Sequence, residues 1–487
     1  MRPMTKRSRP TPSAARAALL ATAALLSACS LAPTYQRPDA PVAAAYPADG
    51  AGAAAKTGVA PAPAGARDAI DTGWREYFNE PRLQQLIAAA LDNNRDLRTA
   101  ALRIEEARAL YNVQSADRLP NVNASLGATR AQTPATVSPS GQTVIGKRVD
   151  AGLAISSFEL DFFGRVKSLN DAALAAYLAT DEARQAAQIS LVAQVAQAYF
   201  TERAYAEQYA LAQQTYDARA RTYKLTQQRA EVGASSRLDL RSNETLMETA
   251  RAAALTLARQ RAQAENALTL LVGQPPAGAA SGAMPSDAQI DALSALPAGL
   301  PSDLLARRPD IRAAEQRLKS ANANIGAARA AFFPRISLTA AIGSTSPTLG
   351  GLFDSGTGSW SFAPQLVLPI FDAGRNRANL TLTEVRKNIA VADYEKTIQT
   401  AFREVADALA ARDYLGEQVA AQRAVQDAQA DRLKLLQLRF DNGVASSLDV
   451  LDAQRELFSA QQSLVQARLL RTTSAIDLYR ALGGGLN

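Results

Sequence analysis

The sequence predicts a mainly α-helical fold with a smaller β component and an internal duplication. Residues 166–272 show the pattern of a helix of roughly 60 residues, a break at Gly233-Ala234-Ser235-Ser236 and a return helix. A second segment of this kind runs from about Asn376 to Leu482 and breaks at Gly443-Val444-Ala445-Ser446. Equivalent residues lie 210 positions apart throughout, as in the pairs Gly164 and Gly374, Val195 and Val405, Asp239 and Asp449, and Gly273 and Gly483. A register held without slippage over so long a stretch indicates a duplicated structural unit.

The duplication extends further toward the N-terminus of each half. Asp96 stands 24 residues before Pro120, and Asp310 stands 24 residues before Pro334, with an offset of 214 between the two halves. Each half is therefore predicted to contain a shorter helix, a variable β-hairpin, a long helix, a tight turn and a return helix. The predicted first repeat covers residues 68–275, the second covers 301–487, and 276–300 form a linker.

The shorter helix of the first repeat is predicted from about Pro81 to Ala116, because apolar residues recur there at helical spacing until Pro120. The segments after Pro120 and Pro334 alternate between apolar and small or polar residues, which is typical of strands. The apolar positions of the four predicted strands are Val122, Ala124 and Leu126; Leu153, Ile155 and Phe158; Ile336, Leu338 and Ala340; and Trp360, Phe362, Leu366 and Leu368.

These strands point to assembly from several copies. Four strands cannot close a barrel, since about eight are the minimum that leaves no open edge, and open edges are not tolerated in lipid. Two copies would supply eight strands and three copies twelve, and the pattern alone does not choose between them. A heptad-like series along the first long helix, Val195, Tyr209, Tyr216, Tyr223 and Ala230 with Glu202 interrupting it, predicts close helix packing. The alternative is a plain two-helix coiled coil, but a coiled coil does not account for the four predicted strands.

The N-terminus predicts export and lipid attachment. Residues 2–16 are basic and residues 17–28 are mostly apolar but too short to span a bilayer, so residues 1–28 are predicted to be a signal peptide. The run ends Leu25-Leu26-Ser27-Ala28-Cys29, which resembles a lipobox, and Cys29 is the single cysteine of the chain. We therefore predict a covalent lipid on Cys29, with a plain signal peptide and an incidental cysteine as the alternative. By resemblance to bacterial lipoprotein sorting signals, Ser30 in place of an aspartate favours the outer membrane. Residues 29–67, rich in Pro and Ala, are predicted to be a lipid-anchored strap.

The composition argues against several classes of function. The chain has no histidine, so it lacks the commonest general base and the commonest neutral metal ligand, and one cysteine permits no internal disulfide. Neither an enzyme, nor a metal site, nor a cofactor other than the lipid is predicted. Five of the seven excess positive charges lie in residues 1–28, so no basic surface for nucleic acid remains.

Specific residues at the two breaks favour the end of one helix and the start of the next. Gly233 and Gly443 suit the left-handed residue that ends a helix. Ser236 with Asp239, and Ser446 with Asp449, fit the pattern of a serine cap followed three residues later by an acid. Asp452 has Ser242 as its counterpart in the first repeat, so the fold does not require an acid there. Repeated around a symmetric ring beside Leu448, Asp449 and Asp452 are expected to crowd like charges and to have raised pKa values.

Three segments carry a resemblance to a known family. Residues 300–310 (LPSDLLARRPD), 324–329 (NIGAAR) and 447–454 (SLDVLDAQ) resemble the TolC/OprM family of outer-membrane efflux factors, and the similarity extends over essentially the whole chain. The lipoproteins of the OprM type, which share the start Cys29-Ser30-Leu31, resemble it most.

The resemblance implies a homotrimer with a twelve-stranded β-barrel in the outer membrane, four strands from each protomer, and an α-helical barrel in the periplasm. It implies two partners, a periplasmic adaptor protein and an inner-membrane transporter of the resistance-nodulation-division (RND) class. It also places a resting gate on Leu448 and Asp452, with Asp449 matching an acid present in some members only. The function implied is a passive, gated exit duct for drugs and toxic small molecules. The alternatives are a non-conducting structural lipoprotein and a duct for protein secretion or metal export.

Overall fold

A computed structural model describes residues 31–46, 68–275, 284–297 and 307–486. The predicted signal peptide, Cys29, most of the strap and parts of the predicted linker lie outside the described residues. The helices, apart from a 3-10 turn at Ala69–Asp71, are α1 (Trp74–Tyr77), α2 (Pro81–Asn93), α3 (Arg95–Ala116), α4 (Arg165–Glu231), α5 (Arg237–Val272), α6 (Asp287–Ser294), α7 (Pro309–Ala330), α8 (Arg375–Asp441) and α9 (Ser447–Ala481). The strands are β1 (Val122–Thr133), β2 (Val144–Leu160), β3 (Arg335–Ser346) and β4 (Gly358–Val367).

The mainly helical fold with a small sheet is confirmed, and the ends of the helices follow the sequence offsets. Helices α4 and α8 each have 67 residues and begin and end 210 positions apart. Helices α3 and α7 each have 22 residues and lie 214 positions apart. The duplication is therefore visible in the helix boundaries as well as in the residues.

One predicted element is wrong in detail. The helix expected to run unbroken over residues 81–116 is interrupted at Asn94, whose backbone is extended (φ −62°, ψ 130°). The Asn94 side chain caps α3 by accepting a hydrogen bond from the Leu97 amide at 2.9 Å, and its Nδ2 donates to the carbonyl of Leu271 at 2.9 Å. Asparagine favours such caps because its side chain substitutes for the missing backbone partner. The apolar periodicity continues across the break and conceals it.

The described chain divides into two compact units. The strand unit contains all four strands, residues 31–38, the second half of α3, most of α7 and the first parts of α4 and α8. The helix unit contains the remainder of the long helices, α1, α2, α5, α6 and α9. In the helix unit, Val195 of the heptad series is buried, and so is its counterpart Val405, whereas Tyr209, Tyr216, Tyr223 and Ala230 are only half-buried. Glu202 is also buried in this series, where its carboxylate accepts a hydrogen bond from Arg261 on α5 at 2.9 Å.

The strand unit holds one antiparallel sheet in the order β1-β2-β3-β4. Its register places apolar residues side by side on one face, in the rows Val122, Ile155, Ala340 and Phe362; Ala124, Leu153, Ile342 and Trp360; and Leu160, Ile336 and Leu366. Polar or small residues occupy the other face, with Ser125, Gly152, Gly343 and Ser359 in one row. β1 and β4 each have one edge without a strand partner in the described chain.

A bulge in β2 keeps the apolar face continuous. Ile155 pairs with Ala340 and Phe158 pairs with Leu338, so three steps along β2 match two along β3. Ser157 takes up the extra residue with a left-handed backbone (φ 53°). Because strand side chains alternate with a period of two, the bulge returns Phe158 and Leu160 to the face of Leu153. This explains the uneven spacing of the predicted apolar positions.

Candidate functional site

The two tip turns have the same backbone construction. Gly233 and Gly443 adopt left-handed conformations (φ 76° and 73°). In the first turn, the Gly233 amide donates to the carbonyl of Ala230 at 3.1 Å and the next amide donates to Arg229 at 2.7 Å. The second turn repeats both bonds with Phe440 and Arg439 as acceptors. This pair of bonds is a Schellman motif, which satisfies the last carbonyls of the long helix.

A serine begins the return helix after each turn. The hydroxyl of Ser236 accepts a hydrogen bond from the Asp239 amide at 3.0 Å, and that of Ser446 accepts from the Asp449 amide at 3.3 Å. Asp449 completes a reciprocal capping box, because its Oδ2 accepts from the Ser446 amide at 3.0 Å. The capping interactions expected from the two serine-acid patterns are therefore present.

A direct bond joins the two turns. The hydroxyl of Ser447, in the first turn of α9, donates to Asp239 Oδ1 at 3.2 Å. Asp239 thus serves its own helix cap and also contacts the second hairpin. The sequence analysis missed Ser447, because a contact between residues 208 positions apart leaves no local pattern.

Two acids at the tip, Asp449 and Asp239, have lowered pKa values within one chain. Hydrogen bonds from the Ser446 side chain and backbone lower the pKa of Asp449 below its ordinary value. The pKa of Asp239 is lowered as well, chiefly by the hydroxyl of Ser236 and further by that of Ser447. Hydrogen bonds to the charged carboxylate and the nearby charges of Arg439 and Arg432 act in the same direction on Asp449. The raised pKa values expected for a ring of these acids depend on neighbouring copies and stay a prediction.

Asp452 is held by two arginines. Its Oδ2 lies 3.3 Å from Arg432 Nη2 on α8, and its Oδ1 accepts a hydrogen bond from Arg455 one turn further along α9. The bond to Arg432 links the two helices of the second hairpin. Neither arginine was among the predicted site residues. Arg455 could have been predicted, because an acid and an arginine three positions apart on a helix can form an ion pair.

Leu448 is one of a pair of exposed apolar residues at the tips. Its side chain is 69% exposed, and Leu238, its counterpart 210 positions earlier, is 77% exposed. Each leucine follows its helix cap by two residues and does not join a core among the described residues. Leu238 was not among the predicted site residues, although the offset identifies it.

The sheet presents the second functional surface. Its apolar face is exposed, with Trp360 80% accessible and Leu153, Ile342, Phe362 and Leu366 also open to their surroundings. An exposed apolar surface of this size marks a contact with a membrane or a protein. Among the helices of the described residues, none has the length and apolar character needed to cross a bilayer.

The opposite face of the sheet is polar and closely packed at one point. Gly152 and Gly343 are cross-strand partners, and a Cβ on Gly343 would lie 2.2 Å from the carbonyl oxygen of Ala151. Only glycine fits at this pair. Across the parts of the chain that the structure describes, no cluster of three or more histidine, cysteine, aspartate or glutamate side chains is arranged as a metal site.

Long helical hairpins with capped tips, together with a sheet that exposes one apolar face, are typical of a membrane-attached protein. The chain belongs to the outer membrane efflux protein family, whose model matches residues 86–274 and 300–484. It is therefore an outer-membrane protein.

Individual relatives cover nearly the whole chain. It is 48% identical over 470 residues to the antibiotic efflux pump outer membrane protein ArpC and to the toluene efflux pump outer membrane protein TtgC, both of Pseudomonas putida; each alignment covers 96% of this chain and 95% of the relative. Its fold is similar to the open-state crystal structure of the MtrE outer membrane channel of Neisseria gonorrhoeae, with a TM-score of 0.82 and 41% identity over 94% of this chain and 99% of that one.

Proposed function

We propose that three copies of this chain form a passive exit duct through the outer membrane, as one component of a tripartite efflux pump. In this proposal twelve strands close a β-barrel and the long helices form an α-helical barrel in the periplasm. A periplasmic adaptor protein and an inner-membrane RND transporter are the partners, and the transporter supplies the energy.

One observation carries the proposal: the sheet exposes an apolar face while β1 and β4 keep open edges. A membrane rejects unpaired backbone groups, so the edges require strands from further copies. Eight strands from two copies would suffice for closure, and the resemblance to the TolC/OprM family favours twelve. The lumen would then be lined by the polar face of the sheet.

The gate is proposed at the tips, on Leu448, Asp449 and Asp452. The pairing of Asp452 with Arg432 holds α9 against α8, and the bond from Ser447 to Asp239 holds the two hairpins together. Opening would separate these helix ends about Gly233 and Gly443. At both glycines there is open space where the Cβ of another residue would lie.

A lipid on Cys29 is proposed as a second attachment to the membrane. The thioether-linked diacylglycerol and an amide-linked acyl chain would together provide stable anchoring. The test is labelling with fatty acid: label is expected on the natural protein and not on the variant Cys29→Ser, and label recovered from that variant would refute the assignment. The barrel also inserts, so the duct is expected to function without the lipid.

The cargo is proposed to be drugs and organic solvents, the classes in the names of the relatives ArpC and TtgC. The test is a panel of antibiotics and solvents on a strain lacking this gene, with and without a plasmid copy. Sensitivity that the plasmid copy reverses supports efflux. Unchanged sensitivity, with altered protein secretion or metal tolerance instead, would favour the other ducts.

A further inference from the structure

A described part of the N-terminal strap lies along one face of α7 in the strand unit. The Asn322 side chain donates from Nδ2 to the carbonyl of Pro33 at 2.7 Å. One turn earlier on the helix, Lys319 Nζ lies 5.3 Å from the centre of the Tyr35 ring. The strap therefore runs antiparallel to α7, with successive strap residues meeting successive helical turns.

The strongest contact is at Glu315. Its carboxylate accepts from the Tyr35 hydroxyl at 3.1 Å and from Arg37 Nε and Nη2 at 3.1 and 2.8 Å. The Glu315 side chain is only 6% exposed, and Lys319 lies 3.3 Å from it. Burial would raise the pKa of Glu315, but the hydrogen bonds from Arg37 and the charge of Lys319 lower it overall. A buried carboxylate with this many donors is a built binding site.

At the other end of the contact, Gly326 of α7 lies against Ala32 of the strap. A Cβ on Gly326 would lie 2.8 Å from both carbon atoms Cα and Cβ of Ala32, and 2.5 Å from the Ser168 hydroxyl on α4. The strap and α4 thus approach the helix backbone too closely for any other residue. Glu315, Lys319, Asn322 and Gly326 recur at spacings of four, three and four, which places them on one face of the helix. We call these four residues the docking stripe.

The docking stripe is present in only one repeat. The offset of 214 gives Ala101, Glu105, Arg108 and Asn112 as the equivalent positions of α3. Ala101 takes the place of Glu315, which binds Tyr35 and Arg37, and Asn112 takes the place of Gly326, which leaves room for Ala32. The duplicated fold therefore does not require the stripe, and a role particular to the second repeat must explain it.

The position of the stripe relates the strap to the membrane. Cys29 precedes Ala32 by three residues, so chain length alone keeps its Cα within about 11 Å of the Cα of Ala32. Ala32 contacts Gly326, one turn before the end of α7 at Ala330, and β3 begins at Arg335. An undocked tether would instead allow the lipid to range over roughly tens of ångströms.

We propose that the docking stripe holds the acylated strap so that the lipid sits beside the first residues of β3, and thereby couples lipid anchoring to insertion of the strands. The inference rests on the acylation of Cys29 in the proposed function. Its ligand is the chain's own N-terminal segment. The coupling raises the effective concentration of the strands at the membrane surface to which the lipid is already bound.

The test compares two strap variants in two backgrounds. Tyr35→Ala with Arg37→Ala removes the donors to Glu315 without altering the body of the protein. Thr34→Ala with Gln36→Ala, at exposed positions of the same strap, is the matched control. Each pair is made in the natural protein and in Cys29→Ser exported by an ordinary signal peptide. The quantity measured is the amount of folded oligomer in the outer-membrane fraction, with conductance of the purified oligomer as a second readout.

A several-fold loss of folded oligomer is expected for Tyr35→Ala with Arg37→Ala in the acylated protein, with no further loss in the Cys29→Ser background. Conductance per oligomer should not change. An equal loss in both backgrounds would overturn the inference, because the contacts would then only stabilise the fold. The absence of any loss in either background would overturn it as well. Failure of the acylated control to carry a labelled lipid would overturn both the anchor and this inference, whereas failure to conduct would count against the duct alone.

Discussion

At the scale of single residues, glycines with nearly identical backbones serve different needs. Gly233 has φ 76° and open space where the Cβ of another residue would lie, whereas Gly273, with φ 78°, would place its Cβ 2.4 Å from the carbonyl oxygen of Asn93. The first glycine is required only for its backbone conformation. The second is required for conformation and for space, because α2 ends against the end of α5.

These two glycines give a matched pair of substitutions. Gly233→Ala should cost about 1–2 kcal/mol, the strain of a left-handed alanine. Gly273→Ala adds a collision with backbone and should cost clearly more. Thermal unfolding of the purified protein in detergent measures both, and equal changes in melting temperature would show that the contact with Asn93 does not constrain the fold.

The ion pair between Asp452 and Arg432 connects α9 to α8. Asp452→Ala should release Arg432 and raise the resting conductance in planar bilayers, through the loss of an exposed pair worth about 0.2–1 kcal/mol in each chain. Asp441→Ala is the control, since Asp441 is an exposed acid near the same tip whose described hydrogen bond is to Gln437 on its own helix. Conductance unchanged from the natural protein, or raised equally by the control, would argue against a gate at Asp452.

The lowered pKa of Asp449 sets a pH window for the tip. A carboxyl whose folded pKa lies below its ordinary value of 3.8 contributes stability above that value and loses it as the pH falls through the folded pKa. Resting conductance should therefore stay constant from about pH 7 to about 4 and rise only below that. A rise already between about pH 7 and 5 would indicate the raised pKa that mutual repulsion in a ring produces.

At the scale of elements, the bulge in β2 determines which residues face outward. Deletion of Ser157 alone should remove the bulge and leave Phe158 and Leu160 on the apolar face, in regular alternation with Ile155, so the protein should still assemble. Deletion of both Ser156 and Ser157 should instead move Phe158 and Leu160 to the polar face and Glu159 to the apolar face, and we expect little folded protein in the outer membrane. Deletion of Ser140, in the connection between β1 and β2, is the control and should be tolerated. Normal assembly after the double deletion would show that the sheet does not face lipid on its apolar side.

Much of this element structure follows from the sequence. Helix lengths, the two turns and the four strands are predictable because they depend on local periodicity, glycine and serine caps. The break at Asn94, the bulge at Ser157 and the partners of Asp452 and Asp239 are not, because each depends on a contact with a distant segment. Leu238 is an intermediate case, since the repeat offset alone identifies it.

At the scale of the whole molecule, one chain leaves an apolar sheet face and two strand edges uncovered. Both are covered if copies join around an axis and the apolar face meets lipid. The most direct measurement is the conductance of the purified protein in a planar bilayer, with its oligomeric mass determined in the same detergent. Three chains per particle with discrete conductance steps, larger for Asp452→Ala, are predicted. A single protomer that passes no ions at any voltage or pH would contradict the proposed duct.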